Sequence, residues 1–241
     1  MVTLLNWDST FFNRKIGSLS GDLGPSTVAE DLKSARAEGF EYLTCRPPVE
    51  NAAAIRTLEC AGFYLTDVGV TWSSQVAAYL QRNPSASTAV RHATTSDLPL
   101  LSEHAVTLFR RSRFYSDRFF TEADADRLHV AWLANSVSGQ AADAVLMNPD
   151  AGFVTCKLRD DHGEVPLIGV WEQSRKRGAG RELMTAAVNW FAGHGATVVN
   201  VKTQVKNLRA MNFYHRLGFD LLAMDMTMCC ILDRAKRGAA Q

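Results

Sequence analysis

The residues best able to do chemistry lie between Val170 and Arg181. Arg175, Lys176, Arg177 and Arg181 surround two glycines in the pattern Arg175-x-x-Gly178-x-Gly180. An apolar stretch from Val165 to Val170 leads in, and a helical repeat of Leu183, Met184, Ala187, Val188 and Phe191 leads out. A strand that becomes a helix at glycines leaves the first backbone N–H groups of that helix without acceptors. The amides around Gly178, Ala179 and Gly180 then face outward, the helix dipole favours negative charge, and the missing Cβ atoms let oxygens approach. Such a place suits a diphosphate. A Walker loop is excluded, because no Gly-x4-Gly-Lys-Ser/Thr run exists. A Rossmann loop is excluded as well, since Arg181-Glu182 follows Gly180 with no third glycine. Taken alone, the pattern also fits a plain strand-to-helix turn.

A second pattern removes most of that ambiguity. Asn207-Leu-Arg-Ala210-Met-Asn-Phe213-Tyr214-His-Arg-Leu-Gly218-Phe219 follows a β-branched run from Ala196 to Thr203 that reads as a strand. Its Leu-Gly-Phe ending is a helix stop, glycine at the cap and Phe packing back. In this order and spacing the two patterns resemble the acetyl-CoA loop and the helix after the fifth strand of the GNAT superfamily of N-acetyltransferases, over residues 88 to 232. The resemblance implies a mixed sheet flanked by helices and splayed near Val170, with acetyl-CoA as co-substrate. It gives Arg175, Lys176, Arg177, Gly178, Ala179, Gly180 and Arg181 to the diphosphate and Asn207 to the pantetheine arm. A backbone N–H at or beside Val170 becomes the oxyanion donor, and Tyr214 the general acid for the departing sulfur. Glu172, where many relatives have Pro and some keep a carboxylate, is one candidate base; a water relay to solvent is the other. His215 is expected to be structural.

The elements that must position these groups are organised around an internal repeat. Residues 37–63 lie on 193–219 without a gap, Gly39 on Gly195, Asn51 on Asn207, Ala54 on Ala210 and Gly62-Phe63 on Gly218-Phe219. The fold class is therefore α/β with two GNAT-like units, a truncated and degenerate one over 1–82 and a complete one over 88–241. Leu58 stands where Tyr214 stands, and the helix near Thr27–Glu38 follows no basic glycine loop, so the first unit is not expected to bind CoA. Ser74 to Ser87, ending in Asn83-Pro84-Ser85-Ala86-Ser87, reads as the link. Beyond it come a strand at 88–94, helices at 96–108 and 121–137, and strands at 144–147, 152–158 and 166–171, with a turn at 160–163. The glycine-loop helix, the strand before Asn207, the Asn207 helix and an apolar run over 221–232 complete the series.

Bulk properties bound the rest. A 241-residue chain that is 46% hydrophobic can bury a sizeable core, and a net charge of +1 argues against a generic nucleic-acid binder. Five cysteines without paired spacing suggest reduced thiols in a cytoplasm, with no zinc framework and so no metal. No apolar run reaches membrane-span length, and no signal-peptide pattern opens the chain.

For the acceptor, Leu5-Asn6-Trp7-Asp8 through Phe11-Phe12-Asn13 to Gly17, Ser112-Arg113-Phe114-Tyr115-Ser-Asp117, and Trp132-Leu133-Ala134-Asn135-Ser136 resemble the dTDP-fucosamine acetyltransferase-like branch. That branch acetylates the amino group of nucleotide-linked deoxyaminosugars. The resemblance implies a substrate site at Arg113, Phe114, Tyr115 and Asn135. Phe114, Tyr115, Phe119 or Phe120 would stack a base, and Arg110, Arg111 and Arg113 would meet its diphosphate. A solvated helix end is the other reading of those arginines. An aminoglycoside, polyamine or protein amine as acceptor, and a non-catalytic CoA sensor, remain open alternatives. The apolar C-terminal strand suggests a route to a homodimer.

Overall fold

The computed structural model describes residues 1–84 and 89–232. The first part of the chain forms β1 (Val2–Leu4), α1 (Asn6–Phe12), β2 (Ile16–Leu19), α2 (Pro25–Ala37), β3 (Tyr42–Cys45), α3 (Ala52–Cys60), β4 (Tyr64–Gln75) and α4 (Val76–Arg82). The second part forms β5 (Arg91–His92), α5 (Leu98–Leu108), α6 (Glu122–Val137), β6 (Ala144–Asn148), β7 (Gly152–Arg159), β8 (His162–Val165), β9 (Ile168–Val170), α7 (Ala179–Gly193), β10 (Val198–Gln204), α8 (Leu208–Leu217) and β11 (Asp220–Ile231). Among the described residues no helix is long and apolar enough to cross a membrane.

All the strands join one mixed sheet in the order β1-β2-β3-β11-β4-β10-β8-β7-β6-β5, with β9 on β7. Alternate residues of each strand face opposite sides. On one side Leu43, Cys45, Met228 and Cys230 meet α2 and α3, while Val70, Trp72, Val199 and Val201 meet α4, α7 and α8. On the other, Tyr42, Cys229 and Ile231 meet α1 and α6, and Val145, Met147 and Phe153 meet α5 and α6. Helix α7 lies at the centre of the first side because its apolar stripe (Leu183, Met184, Ala187, Val188, Phe191) is wholly buried. Each of its large side chains contributes about 1.5–3 kcal/mol by leaving water.

The two copies of the repeat share local geometry. Asn51 and Asn207 both cap helices, their side-chain oxygens accepting from Ala54 N–H (3.1 Å) and Ala210 N–H (3.3 Å). Gly62 and Gly218 both follow those helices at φ near +90° (90° and 87°), a conformation that favours glycine. The offset that lays Asn51 on Asn207 also carries the pair Tyr64–Cys229 onto Asp220–Ser73 and the pair Tyr42–Ile231 onto Val198–Gln75. A pseudo-two-fold axis therefore passes between β4 and β11.

About that axis the strands of the two repeat copies interleave. β4, from the first repeat copy, lies between β10 and β11, and β11, from the second, lies between β3 and β4. The second stretch of sequence thus relies on the first for the strand beside β10. The link expected from Ser74 onward is corrected in the same way. Ser74 and Gln75 end β4, and α4 packs on α7 and α8, Tyr79 and Thr185 sharing a hydroxyl bond (3.2 Å) and Asn83 Nδ2 donating to Leu217 O (3.2 Å). Residues 85–88, which include the end of that link and the start of the strand expected at 88–94, lie outside the described residues. The dimer route through the C-terminal strand fails too, because β11 has partners on both edges.

Candidate active site

The strand expected at 166–171 is broken, and the break makes the site. Val165 is the last residue of β8 to pair with β10, opposite Val201. Pro166, which has no N–H, follows. β9 then continues along β7 alone, Gly152 facing Val170 and Val154 facing Ile168. Gly152 permits this approach, since a Cβ there would sit 2.0 Å from Gly169 O. The sheet therefore splays between β9 and β10, as the sequence suggested. Trp171 N–H donates to Ala151 O (2.8 Å) and Leu167 O accepts from Thr155 N–H (2.9 Å), so 167, 169 and 171 turn toward β7. By alternation the backbone of Val170 turns toward the gap. Its carbonyl accepts from Arg175 Nε (3.2 Å), and its N–H is aimed the same way.

The glycine loop sits above that gap. Gly178 is the N-cap of α7 at φ +89° with no side-chain cap, and Lys176 before it is also left-handed at φ +63°. The first helical bond runs from Glu182 N–H to Gly178 O (3.1 Å), so the amides of Ala179, Gly180 and Arg181 have no acceptor within the helix. Gly180 has a reason the sequence reading did not give it. A Cβ there would meet Phe213 Cε2 at 3.1 Å and Val170 Cγ2 at 3.5 Å, so this glycine brings α7 against α8 and β9.

Tyr214 lies in the same apolar cluster as Val165, Ile168, Val170 and Phe213, 3% exposed. Burial pushes its phenol well above the usual range, and among the described residues its hydroxyl has no hydrogen-bond partner. A tyrosine held protonated in an apolar wall can donate to an anion that forms beside it. Asn207 Nδ2 donates to Thr203 Oγ1 (3.3 Å) while its oxygen caps α8, so its side chain is structurally engaged at both ends. Glu172 is 90% exposed, its carboxylate 3.8 Å from Arg175 Nη1 on the loop, and so it projects to solvent instead of into the gap. His215 is exposed on α8, its ring 6.4 Å from Trp72.

The acceptor side departs from the sequence reading. Phe114, Phe119 and Phe120 are core residues, packed with Phe12, Tyr42 and Ile231, and no base can stack on them. Tyr115 is tied down, its hydroxyl donating to Asp126 Oδ1 (2.6 Å) and its ring lying under Arg110. Arg110 itself pairs with Glu122 (3.7 Å) and Asp126 (3.8 Å). Arg113 is only 14% exposed and donates to the Tyr42 hydroxyl (3.1 Å). It closes a network in which Tyr42 and Tyr64 both donate to Asp117. A buried cation already matched by a carboxylate is not free to clamp a ligand. Asn135 lies at the C-terminal end of α6, where its carbonyl accepts from Ala141 N–H (3.0 Å). That is the Ala144–Cys156 end of the sheet, whereas Val170 lies at the Gly152 end, so Asn135 is outside the site.

Other residues gather there unannounced. Asp67 on β4 and Asp8 on α1 are half-buried, and burial raises both carboxyls despite Lys206 and Arg113 beside the first and Arg113 and Arg46 beside the second. His104 of α5 stacks on Trp171, centroids 4.0 Å apart. No sequence spacing connects Asp8, Asp67 and Lys206. Asp8 and Asp67 share Arg113 as an electrostatic neighbour, and Lys206 lies beside Asp67.

Fold, gap and loop are those of an acetyltransferase, and residues 104–219, just under half of the chain, match the Acetyltransferase (GNAT) family. Enzymes of this family use acetyl-CoA, and the free amides of α7, the cations around them and the apolar gap beneath fit that co-substrate. The chain is 28% identical to the dTDP-fucosamine acetyltransferase of Escherichia coli O6:H1 over 219 residues, 89% of this chain and 91% of that protein. A conserved protein of unknown function from Staphylococcus epidermidis superposes with a TM-score of 0.62 at 14% identity, covering 90% of this chain and 84% of that one. A tandem GNAT protein from the clavulanic acid biosynthesis pathway gives 0.57 at 11% identity, covering 85% and 68%. At these identities the structural likeness is one of fold.

Proposed function

We propose that this enzyme transfers the acetyl group of acetyl-CoA to the amino group of a nucleotide-linked deoxyaminosugar, by direct attack of the amine on the thioester. The observation that carries the reading is that the likeness to the dTDP-fucosamine enzyme runs through both units and not only through the glycine loop. In this reading the amides of Ala179, Gly180 and Arg181, with Arg175, Lys176 and Arg177, hold the CoA diphosphate. The gap between β9 and β10 takes the pantetheine arm, close to the Asn207 cap. The Val170 N–H donates to the oxygen that gains charge, a type of contact worth about 2.7–4 kcal/mol in other enzymes. Tyr214 gives a proton or a hydrogen bond to the departing sulfur. The proton lost by the amine passes to water, since Glu172 faces solvent. A cytoplasmic setting, where acetyl-CoA and nucleotide sugars occur together, agrees with five unpaired cysteines.

The test is release of free CoA with a panel of dTDP- and UDP-linked amino- and diaminosugars, with aminoglycosides and polyamines as controls. Turnover on one nucleotide sugar, well above the free sugar, is the expected result. Turnover on the controls alone overturns the acceptor and keeps the family.

A further inference from the structure

Three cations around the acceptor side of the gap are left without carboxylate partners. Arg46 follows β3, Arg118 lies in the turn between α5 and α6, and Lys206 follows β10. All three are exposed, and among the described residues none forms an ion pair. Their neighbours differ. Lys202 is paired with Asp225, Arg110 with Glu122 and Asp126, and Arg113 with Asp117.

The three are held in one basin. Lys206 Nζ donates to Ser116 Oγ (3.3 Å), which fixes the β10–α8 turn to the turn that carries Arg118. The Arg118 guanidinium lies 4.5 Å over the ring of Tyr64, whose hydroxyl donates to Asp117 Oδ1 (2.9 Å). Asp8 lies within the electrostatic reach of Arg46 and Arg113, and Asp67 within that of Lys206 and Arg113, so Arg113 is the common floor of the basin. The ring and hydroxyl of Tyr64 restrain Arg118 and leave most of its five N–H donors free, and a guanidinium so restrained presents a fork suited to phosphate oxygens.

Resting on the acceptor class proposed above, we infer that Arg46, Arg118 and Lys206 bind the diphosphate of the acceptor nucleotide, distinct from the diphosphate of CoA on the α7 loop. The charge order supports it. Asp67 sits on β4 opposite Thr227, next to the open end of β10, and offers a half-buried carboxylate to an ammonium or hydroxyl. The free cations stand around the rim. A ligand with an amine at one end and a diphosphate beyond it meets complementary charge along its length. Arg46 comes from the first unit, Lys206 from the second and Arg118 from the connection, so neither unit alone holds this basin.

The experiment uses the full chain and two probes, dTDP and UDP, by titration calorimetry, with acetyl-CoA titrated separately. Arg46→Gln, Arg118→Gln, Lys206→Gln and the triple variant are compared with the unaltered enzyme. Each single change is expected to weaken dTDP or UDP by about tenfold, the triple to abolish measurable binding, and acetyl-CoA affinity to stay constant. With the nucleotide sugar that turns over, KM should rise in parallel and kcat at saturation should hold. Unaltered dTDP and UDP affinity in the triple variant, in an enzyme that does acetylate a nucleotide sugar, overturns this assignment alone. Binding of neither nucleotide by the unaltered enzyme overturns the acceptor class and the basin together. Acetyl-CoA binding by the triple variant verifies that it is folded.

Discussion

Helices α2 and α7 occupy related places in the two repeat copies, each after a short strand, yet their N-termini have opposite fates. At α7 the cap is Gly178, no side chain intervenes, and four cations surround free amides. At α2 the first helical residue is Pro25, which has no amide to give. Asp22 then folds over the start, accepting from Gly24 N–H (3.0 Å) and Thr27 Oγ1 (2.8 Å). A carboxylate of the chain itself stands where an anionic ligand would bind. The apolar walls diverge in the same sense, with fully buried Leu58 in place of Tyr214. The frame of a unit can thus be retained while its binding end is closed by one acidic residue and one proline.

The largest effect expected from this contrast is at Tyr214. Tyr214→Phe should lower kcat by about 10²–10⁴, with acetyl-CoA affinity and melting temperature little changed. Steady-state kinetics beside a CoA titration checks it, and an unchanged kcat at neutral pH removes the general-acid role. The next concerns a matched pair of glycines, Gly21 and Gly178, both at φ +89° with open space around a would-be Cβ. Alanine at either position strains the backbone by about 1–3 kcal/mol. Only Gly178→Ala should weaken acetyl-CoA, by roughly tenfold, whereas Gly21→Ala should show its effect in denaturant unfolding alone.

The two caps give a smaller difference. Asn51→Ala and Asn207→Ala should each cost about 1 kcal/mol of stability, read from unfolding curves. A rise in acetyl-CoA KM confined to Asn207→Ala would add the pantetheine contact to its capping role; equal behaviour of the pair leaves it a cap. The smallest is electrostatic. Its bonds to Thr27 and Gly24 hold the Asp22 carboxyl below the usual carboxylate range. A depressed folded pKa stabilises above the unfolded value, about 3.9, and that contribution is lost as pH falls through the folded one. The melting-temperature gap between Asp22→Asn and the unaltered protein should be present at neutral pH and shrink as pH falls below about 4 at low salt.

How much the chain discloses in advance depends on how local the signal is. The glycine turn at Arg175–Arg181 and the Gly218 stop are each written within a few residues and were legible, whereas Asn207 was read for a ligand and its capping role went unread. The splay was legible from family resemblance, but its physical cause, Pro166, went unread. The acceptor residues were misplaced because aromatic and basic runs near Arg113 look alike whether they line a cleft or fill a core. Phe114 and Arg113 fill the core. Asp8 and Asp67 share no spacing, yet both come within reach of Arg113, and only a register set across the whole chain places Asp67 beside Lys206. Exchange of β4 and β11 leaves no local mark, since each strand would read the same in its own unit.

That exchange also sets how the chain can fold. Ladder pairs such as Gln75–Val198 and Tyr42–Ile231 join residues from opposite ends of the sequence. During synthesis β3 and β4 emerge with hydrogen-bonding edges whose partners have not yet been made. Neither half can complete its sheet first, so the two must condense in one late, cooperative event. Contacts of such high order slow that event and leave apolar strand edges open to aggregation meanwhile. A chain cut between the two halves should fold only when both pieces are present together.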